Sequence, residues 1–313
     1  MNGSLKRANK SDIILMHELS LVFLTYNARF EDVIESLESV ICQKDVDFEI
    51  IVADDGSKDT LQAEIETFFK DNDFADYKLV MNPRNAGTVA NLLSGLEAAD
   101  GEYIKTLSPG DRLYSEHTLR EWLDFLRAQG SAWSFSDVIY YYKDSEGSEI
   151  RFKEAAHPQD VSPYIMGDLK RCRWNYVVLN DIPIGAAILS KTAVQMKYCK
   201  RIKEAGVKYA EDNMWRLMMF DGELGTYYPS QTVLYETGKG ISSPGSDLWK
   251  QRLARDWSIT DDEMRKTANP DEFQQSMLKG IKTNASMFEK MLIKGKISLA
   301  IKRRFRKGMT QCR

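Results

Sequence analysis

Four short stretches of this 313-residue chain concentrate side chains able to do chemistry. In Tyr209-Ala210-Glu211-Asp212-Asn213-Met214-Trp215-Arg216, an acidic pair stands where a helix is predicted to begin. The helix dipole stabilises anions at that end, which would keep Glu211 and Asp212 ionised and ready to accept a proton from a hydroxyl. Asp54-Asp55-Gly56-Ser57 puts two carboxylates in a turn after an apolar run, where a base or ribose could donate to them. Within Asn82–Gly95 (NPRNAGTVANLLSG), Arg84 suits a phosphate, and the Asn85-Ala86-Gly87 turn lets backbone approach a ligand at a helix N-terminus. Leu107-Ser108-Pro109-Gly110-Asp111 ends in a carboxylate at a tight turn, from which Asp111 could ligate Mg²⁺ or Mn²⁺. Taken singly, each stretch is equally a cap, a turn or a packed helix start.

Their placement is more specific than their composition. Short apolar runs at Leu19–Thr25, Phe48–Ala53, Tyr77–Met81 and Tyr103–Leu107 alternate with helical spacing over Phe30–Gln43, Thr60–Lys70, Gly87–Ala99 and Ser115–Ala128. That rhythm predicts an α/β fold with a mixed, mostly parallel central sheet covered by helices on both faces. Ligands bind beyond the carboxyl ends of such strands, where Thr25–Asn27, Asp54–Ser57 and Ser108–Asp111 fall. After residue 130, Trp133–Tyr142 is β-prone, Asp144–Ser148 a turn, and the stretch from Lys153 to Tyr176 loop-rich. Then come Ile182–Ser190, a helix from Lys191 to Lys203, a helix over Glu211–Phe220, a strand over Tyr227–Thr237, and helices with polar connections to the end.

Composition bounds the rest. The chain carries 43 Lys+Arg against 46 Asp+Glu, a net charge of −3, which argues against a nucleic-acid partner. The average hides an asymmetry: Lys290–Arg313 holds nine cations and no acid, leaving residues 1–289 at a net −12. Such a basic, moderately amphipathic tail suits an anionic membrane surface, or a helix packed on the body with a solvated end. No run is long and apolar enough to span a bilayer, and no signal peptide is evident, so the expected location is cytoplasmic, peripheral at the inner face of the membrane. Cys42, Cys172, Cys199 and Cys312 show no metal-ligand spacing, and His17, His117 and His157 are scattered surface or packing residues.

The four stretches in this order resemble the inverting family 2 glycosyltransferases of the GT-A fold. The resemblance spans about residues 19–245 and rests on Thr25-Tyr26-Asn27, Asp54-Asp55-Gly56-Ser57, Asn85-x-Gly87 with Asn91 and Gly95, Gly101-Glu102-Tyr103-Ile104, Ser108–Asp111, and Glu211-Asp212 with Trp215. It implies a GT-A domain over 1–245, with a nucleotide-binding half at 19–130 and an acceptor-binding half at 131–245, and a helical extension over 246–313. By the same resemblance, Thr25, Tyr26, Asn27, Asp54 and Asp55 would line the base and ribose pocket, with Arg84, Asn85 and Gly87 near the nucleotide. Gly185 and Ala186 would touch the donor sugar, Asp111 would face a divalent cation and the diphosphate, and Asp212 would be the general base beside Glu211. The implied donor is a nucleotide sugar, commonly a UDP-sugar, and the implied acceptor a glycan or lipid-linked glycan of polysaccharide biosynthesis. Where the family commonly has an Asp-x-Asp run, this chain has Ser108, Pro109 and Gly110 before Asp111, which predicts weak cation binding in the absence of donor. Two other readings share these residues: a nucleotidyltransferase, and a catalytically silent nucleotide-sugar or glycan-binding module. The Tyr235–Ser243 segment is either a loop able to close over a diphosphate or a plain connection.

Overall fold

The computed structural model describes residues 17–156, 158–237 and 247–282. The first half builds β1 (His17–Thr25), α1 (Phe30–Ile41), β2 (Phe48–Asp54), α2 (Gln62–Asp71), β3 (Tyr77–Met81), α3 (Thr88–Ala98), β4 (Gly101–Leu107), the two-residue β5 (Arg112–Leu113) and α4 (Thr118–Gln129). The second half adds β6 (Trp133–Lys143), β7 (Glu149–Ala156), α5 (Ser162–Ile165), α6 (Leu169–Leu179), a 3₁₀ turn at Gly185–Ala187, β8 (Ile188–Lys191), α7 (Thr192–Ala205), α8 (Asn213–Asp221), β9 (Thr226–Glu236), α9 (Asp247–Arg265) and α10 (Glu272–Lys282).

All nine strands among the described residues join one sheet of order β3-β2-β1-β4-β8-β6-β9-β5, with β7 pairing β6 over Asp137–Lys143, beyond the stretch that pairs β8. The strands β3, β2, β1 and β4 are parallel, as the apolar runs predict, and β2 is buried along its whole length. Beyond β4 the sheet becomes mixed: β8 is antiparallel to both β4 and β6, and β6 runs parallel to β9. Register brings Thr25 opposite Asp54 and Phe23 opposite Leu107, so three of the chemistry-bearing turns leave the sheet side by side.

Each face of the sheet carries its own core. One is closed by α1, α2 and α4 around Leu37, Phe69 and Trp122, the other by α3, α6, α7 and α8 around Leu92, Tyr176, Tyr198 and Trp215. Two glycines of the family pattern serve this packing. A Cβ at Gly95 would sit 2.6 Å from Val22 Cγ1, so α3 can lie close on β1 only without a side chain there. At Gly101 a Cβ would meet the backbone of Leu19 and Ser20 at 2.4–2.5 Å.

The expectation of a loop-rich stretch from Lys153 to Tyr176 fails over α6. Asp168 caps that helix by accepting from Arg171 N, and its buried positions Cys172, Tyr176 and Val177 are too few to leave a periodic signal. The expected C-terminal helices are present as α9 and α10. Both join the core of the second face, where Met264 and Met277 are fully buried. Among the described residues no helix is long and apolar enough to cross a membrane. The basic tail from Lys290 and residues 238–243 of the glycine-rich segment lie outside the described residues.

Candidate active site

The turns at the carboxyl ends of β1, β2 and β4 open onto a cavity of about 1210 Å³. Thr25, Tyr26, Asn27, Asp55, Asn85, Gly87, Asp111, Gly185, Ala186, Glu211 and Asp212 all line it. Two expected site residues do not. The Asp54 carboxylate is buried and accepts from Ser57 N at 2.7 Å and Ser57 Oγ at 2.5 Å, so it shapes the turn rather than facing a ligand. Arg84 is exposed and outside the lining, and its backbone is what matters.

That backbone packs against Gly56, whose φ is +71° and whose Cβ would lie 2.4–2.7 Å from atoms of Arg84 and Asn85. Gly56→Ala should therefore lower stability by about 2–3 kcal/mol, since it combines a left-handed backbone with overlap against main chain. Urea unfolding measures this, and a loss below ~1 kcal/mol would mean that the two loops can separate freely. On the other side, Asn27 sits at φ +47° and ties the β1 turn to the β2 turn: its N–H donates to Ser57 Oγ at 2.7 Å and its Oδ1 accepts from Lys58 N at 3.1 Å.

The start of α3 differs from the expected anion site. Asp55 accepts from the N–H groups of Ala86 and Gly87 at 2.8 and 3.0 Å, and Lys208 O accepts from Val89 N at 3.1 Å. The anion at this helix terminus is thus the protein's own carboxylate, held above its ordinary pKa by burial against the opposing pull of those two amides. Gly87, at φ +96°, makes its close approach to Lys208 rather than to a ligand. Asn91 is likewise structural: it donates to Ala53 O and accepts from Asn82 Nδ2, both at 2.9 Å.

Asp111 lies at the far end of the cavity. Its Oδ1 accepts from Glu236 N at 3.1 Å, and burial pushes its pKa up to about 7. Behind it the fully buried Lys105 donates to the carbonyls of Thr106 at 2.5 Å and Ala186 at 2.7 Å, and desolvation lowers its pKa to about 7. Lys105 thereby pins the Gly185–Ala187 turn against the end of β4. These donors do not fit a protein-made shell for a hard cation: one Asp111 oxygen is engaged, an ammonium group stands nearby, and no group of three ligating side chains occurs among the described residues.

The acidic pair closes the cavity opposite β4. Asp212 occupies the N-cap position of α8 without capping it, and its Oδ1 has no hydrogen-bond partner. That atom lies 3.1 Å from where a Cβ on Gly185 would be, so the small residue lets the carboxylate reach into the site. Both residues remain part-exposed on the cavity side. Desolvation raises the pKa of each, and the Asp212 charge adds to the rise at Glu211. Burial at both residues, with the Asp212 charge beside Glu211, thus works against the helix dipole on which the expectation of an ionised pair rested. The loop ahead of the pair is fixed by α9: Asp256 Oδ2, fully buried, accepts from the N–H groups of Lys208, Tyr209 and Ala210 at 3.0, 2.6 and 3.2 Å.

The family described as glycosyl transferase family 2 matches residues 20–191, more than half of the chain. The chain belongs to that family. Among curated relatives, an uncharacterized glycosyltransferase of Rickettsia felis is 32% identical over 194 residues, covering 56% of this chain and 31% of that protein. A second, from Rickettsia conorii, is 27% identical over the same length. The match thus spans about a third of either relative. Among solved structures, residues 1–349 of S. aureus TarS in complex with UDP-GlcNAc superpose with a TM-score of 0.56 at 16% identity, covering 88% of this chain and 74% of that one. The mannosyltransferase PcManGT from Pyrobaculum calidifontis, in complex with GDP-Man and Mn²⁺, gives 0.56 at 14% identity over 96% and 85%. At such identities the likeness establishes the GT-A fold alone.

The cavity of this family 2 glycosyltransferase also holds residues that motif spacing did not single out. Arg29, in a two-pronged contact with Asp32, and Arg252 are cations of its lining, where Arg84 is absent. Tyr209, Trp249 and Trp257 add an aromatic wall. A signal for that wall existed: Trp249, Arg252, Leu253, Asp256 and Trp257 follow i, i+3, i+4, i+7, i+8 spacing, one face of a helix.

Proposed function

We propose that this glycosyltransferase moves a sugar from a nucleotide-sugar donor, a UDP-sugar foremost, to a hydroxyl of a glycan or lipid-linked glycan acceptor with inversion. The observation that carries the reading is the Asp212 carboxylate, which lines the cavity beside Gly185, keeps its buried Oδ1 without a hydrogen-bond partner, and has its affinity for a proton raised by burial. A base is effective when its pKa lies near the working pH, and Asp212 is moved in that direction. The nucleotide lies against Thr25, Tyr26, Asn27 and Asp55, with the Tyr26 ring, 51% exposed, free to stack. The donor sugar rests on the small-residue turn at Gly185 and Ala186, beneath Asp212. Asp212 takes the proton from the acceptor hydroxyl as its oxygen attacks the anomeric carbon from the face opposite the departing diphosphate. Trp215 lines the cavity beside Asp212, and its buried indole N–H has no protein partner. Asp111 faces the diphosphate end. Its surroundings do not form a cation shell, so no step is assigned to a metal.

The test is thermal: melting temperatures with a panel of UDP- and GDP-sugars, in Mn²⁺ and in EDTA. Binding to the native state raises the midpoint, by about 2.7 kcal/mol of stabilisation at a hundredfold excess over Kd. At least one nucleotide sugar should stabilise the chain, and most of the shift should survive EDTA. Flat responses to the whole panel would sink the donor assignment, and a shift seen only with Mn²⁺ would overturn the account of Asp111.

A further inference from the structure

We propose that Tyr209, Trp249, Arg252 and Trp257 form the acceptor subsite and select a saccharide that carries an anionic substituent. The inference rests on the transferase reading and adds the chemical class of the acceptor. Arg252 is half-buried in the cavity wall, its guanidinium 5.1 Å from the Tyr209 ring centre and 4.8 Å from that of Trp249. The other arginines of α9 are paired, Arg255 with Asp256 at 2.9 Å and Arg265 with Asp262 at 2.7 Å. Arg252 alone among them has no carboxylate within ion-pair distance among the described residues. A guanidinium set over aromatic rings, with no carboxylate partner, has N–H donors that match a carboxylate or phosphate in two-pronged fashion.

Docking of α9 does not rest on Tyr209 and Trp249, because Asp256 fastens that helix to the 208–210 loop through three hydrogen bonds and Trp257 packs against Arg216 of α8. Tyr209 and Trp249 stand edge to face at 5.2 Å and leave apolar surface on the cavity, which suits the C–H face of a pyranose ring. The wall belongs to α9, which packs on α7 and α8, and to Tyr209, two residues before Glu211, so it borders the acidic pair, while Lys208 on its other side packs against Gly87 of the nucleotide turns. An acceptor seated here presents its hydroxyl towards Asp212.

Intrinsic tryptophan fluorescence of the full chain, titrated with three saccharides, tests the assignment. The probes are a hyaluronan tetrasaccharide, a 6-phosphorylated maltotetraose and neutral maltotetraose. At least one acidic probe should bind about tenfold or more tighter than the neutral one. Arg252→Gln should erase that preference and Arg252→Lys retain part of it, both with the nucleotide-sugar melting shift unchanged. The identity of the tighter probe assigns the anion as carboxylate or phosphate. Equal binding of all three, no binding by any, or a preference that survives Arg252→Gln would overturn the proposal. If the acidic preference holds while no nucleotide sugar shifts the melting temperature, the transferase reading fails and the saccharide subsite stands.

Discussion

Asp212→Asn should cut transfer to the acceptor by roughly 10³-fold while leaving donor binding intact, the size of loss typical for removing a general base. Turnover at saturating donor, read as nucleotide release dependent on acceptor, measures it. Activity within about fivefold of the native enzyme would remove Asp212 from the role of base. The pH dependence carries a second signature. The base must be unprotonated to act, and burial raises both members of the pair above the usual carboxylate range, the Asp212 charge adding to the rise at Glu211. The rate should therefore climb with pH along a limb displaced towards neutrality from the ordinary value near 4. Stability should move the opposite way. Between the ordinary pKa and the raised one the folded chain holds protons that the unfolded chain has released, so stability falls as pH rises through that window. Asparagine carries no such cost. At pH 8 the variant should melt at or above the native temperature, a gain of stability bought with activity.

Asp256→Ala is the second large effect, and it acts from outside the reacting atoms. One fully buried oxygen takes three backbone N–H groups, and its loss leaves them without acceptors in a water-poor site. The expected destabilisation is about 3 kcal/mol, or roughly 4–6 °C in melting temperature. Transfer should fall as well, because the freed loop leads directly into Glu211 and Asp212. Asp256→Asn separates the two consequences: it keeps an acceptor oxygen and removes the negative charge that helps raise Glu211. Its melting temperature should lie between those of the native chain and the alanine variant, and its pH–rate limb should shift downward. Native melting and native turnover for Asp256→Ala together would show the 208–210 loop to be self-supporting.

The sheet and the strand-end turns were legible because burial on both faces writes itself into continuous apolar runs, and because Asp, Gly and Asn at strand ends have few other uses. The Glu211–Asp212 pair and Gly185 were placed together by the family resemblance, and all three line the cavity. What failed depended on which partner each side chain takes in the fold, whether near or distant in sequence. Asp54 and Asp55 look equivalent in the chain, yet Asp54 turns inward to Ser57 and Asp55 crosses to the amides of Ala86 and Gly87. The ionisation of the acidic pair could not be judged from a helix start alone, since desolvation depends on how much chain surrounds it. Helix α6 was missed because its buried surface faces α8 and α10, which share it among few residues. The aromatic and cationic face of α9 was present as a helical spacing, but nothing local indicated that this face meets the cavity.

The anchoring of the 208–210 amides on Asp256 also bears on motion. Loops that carry reactive groups usually open at little cost, since few buried contacts hold them. Here the peptide segment leading to Glu211 and Asp212 is bonded to a carboxylate whose helix shares its core with α7 and α8, so local opening of that segment must disturb packed helices. The Asp212 carboxylate is thus tied to the slow, cooperative part of the molecule, and under the proposed mechanism substrate comes to a base that is already in place.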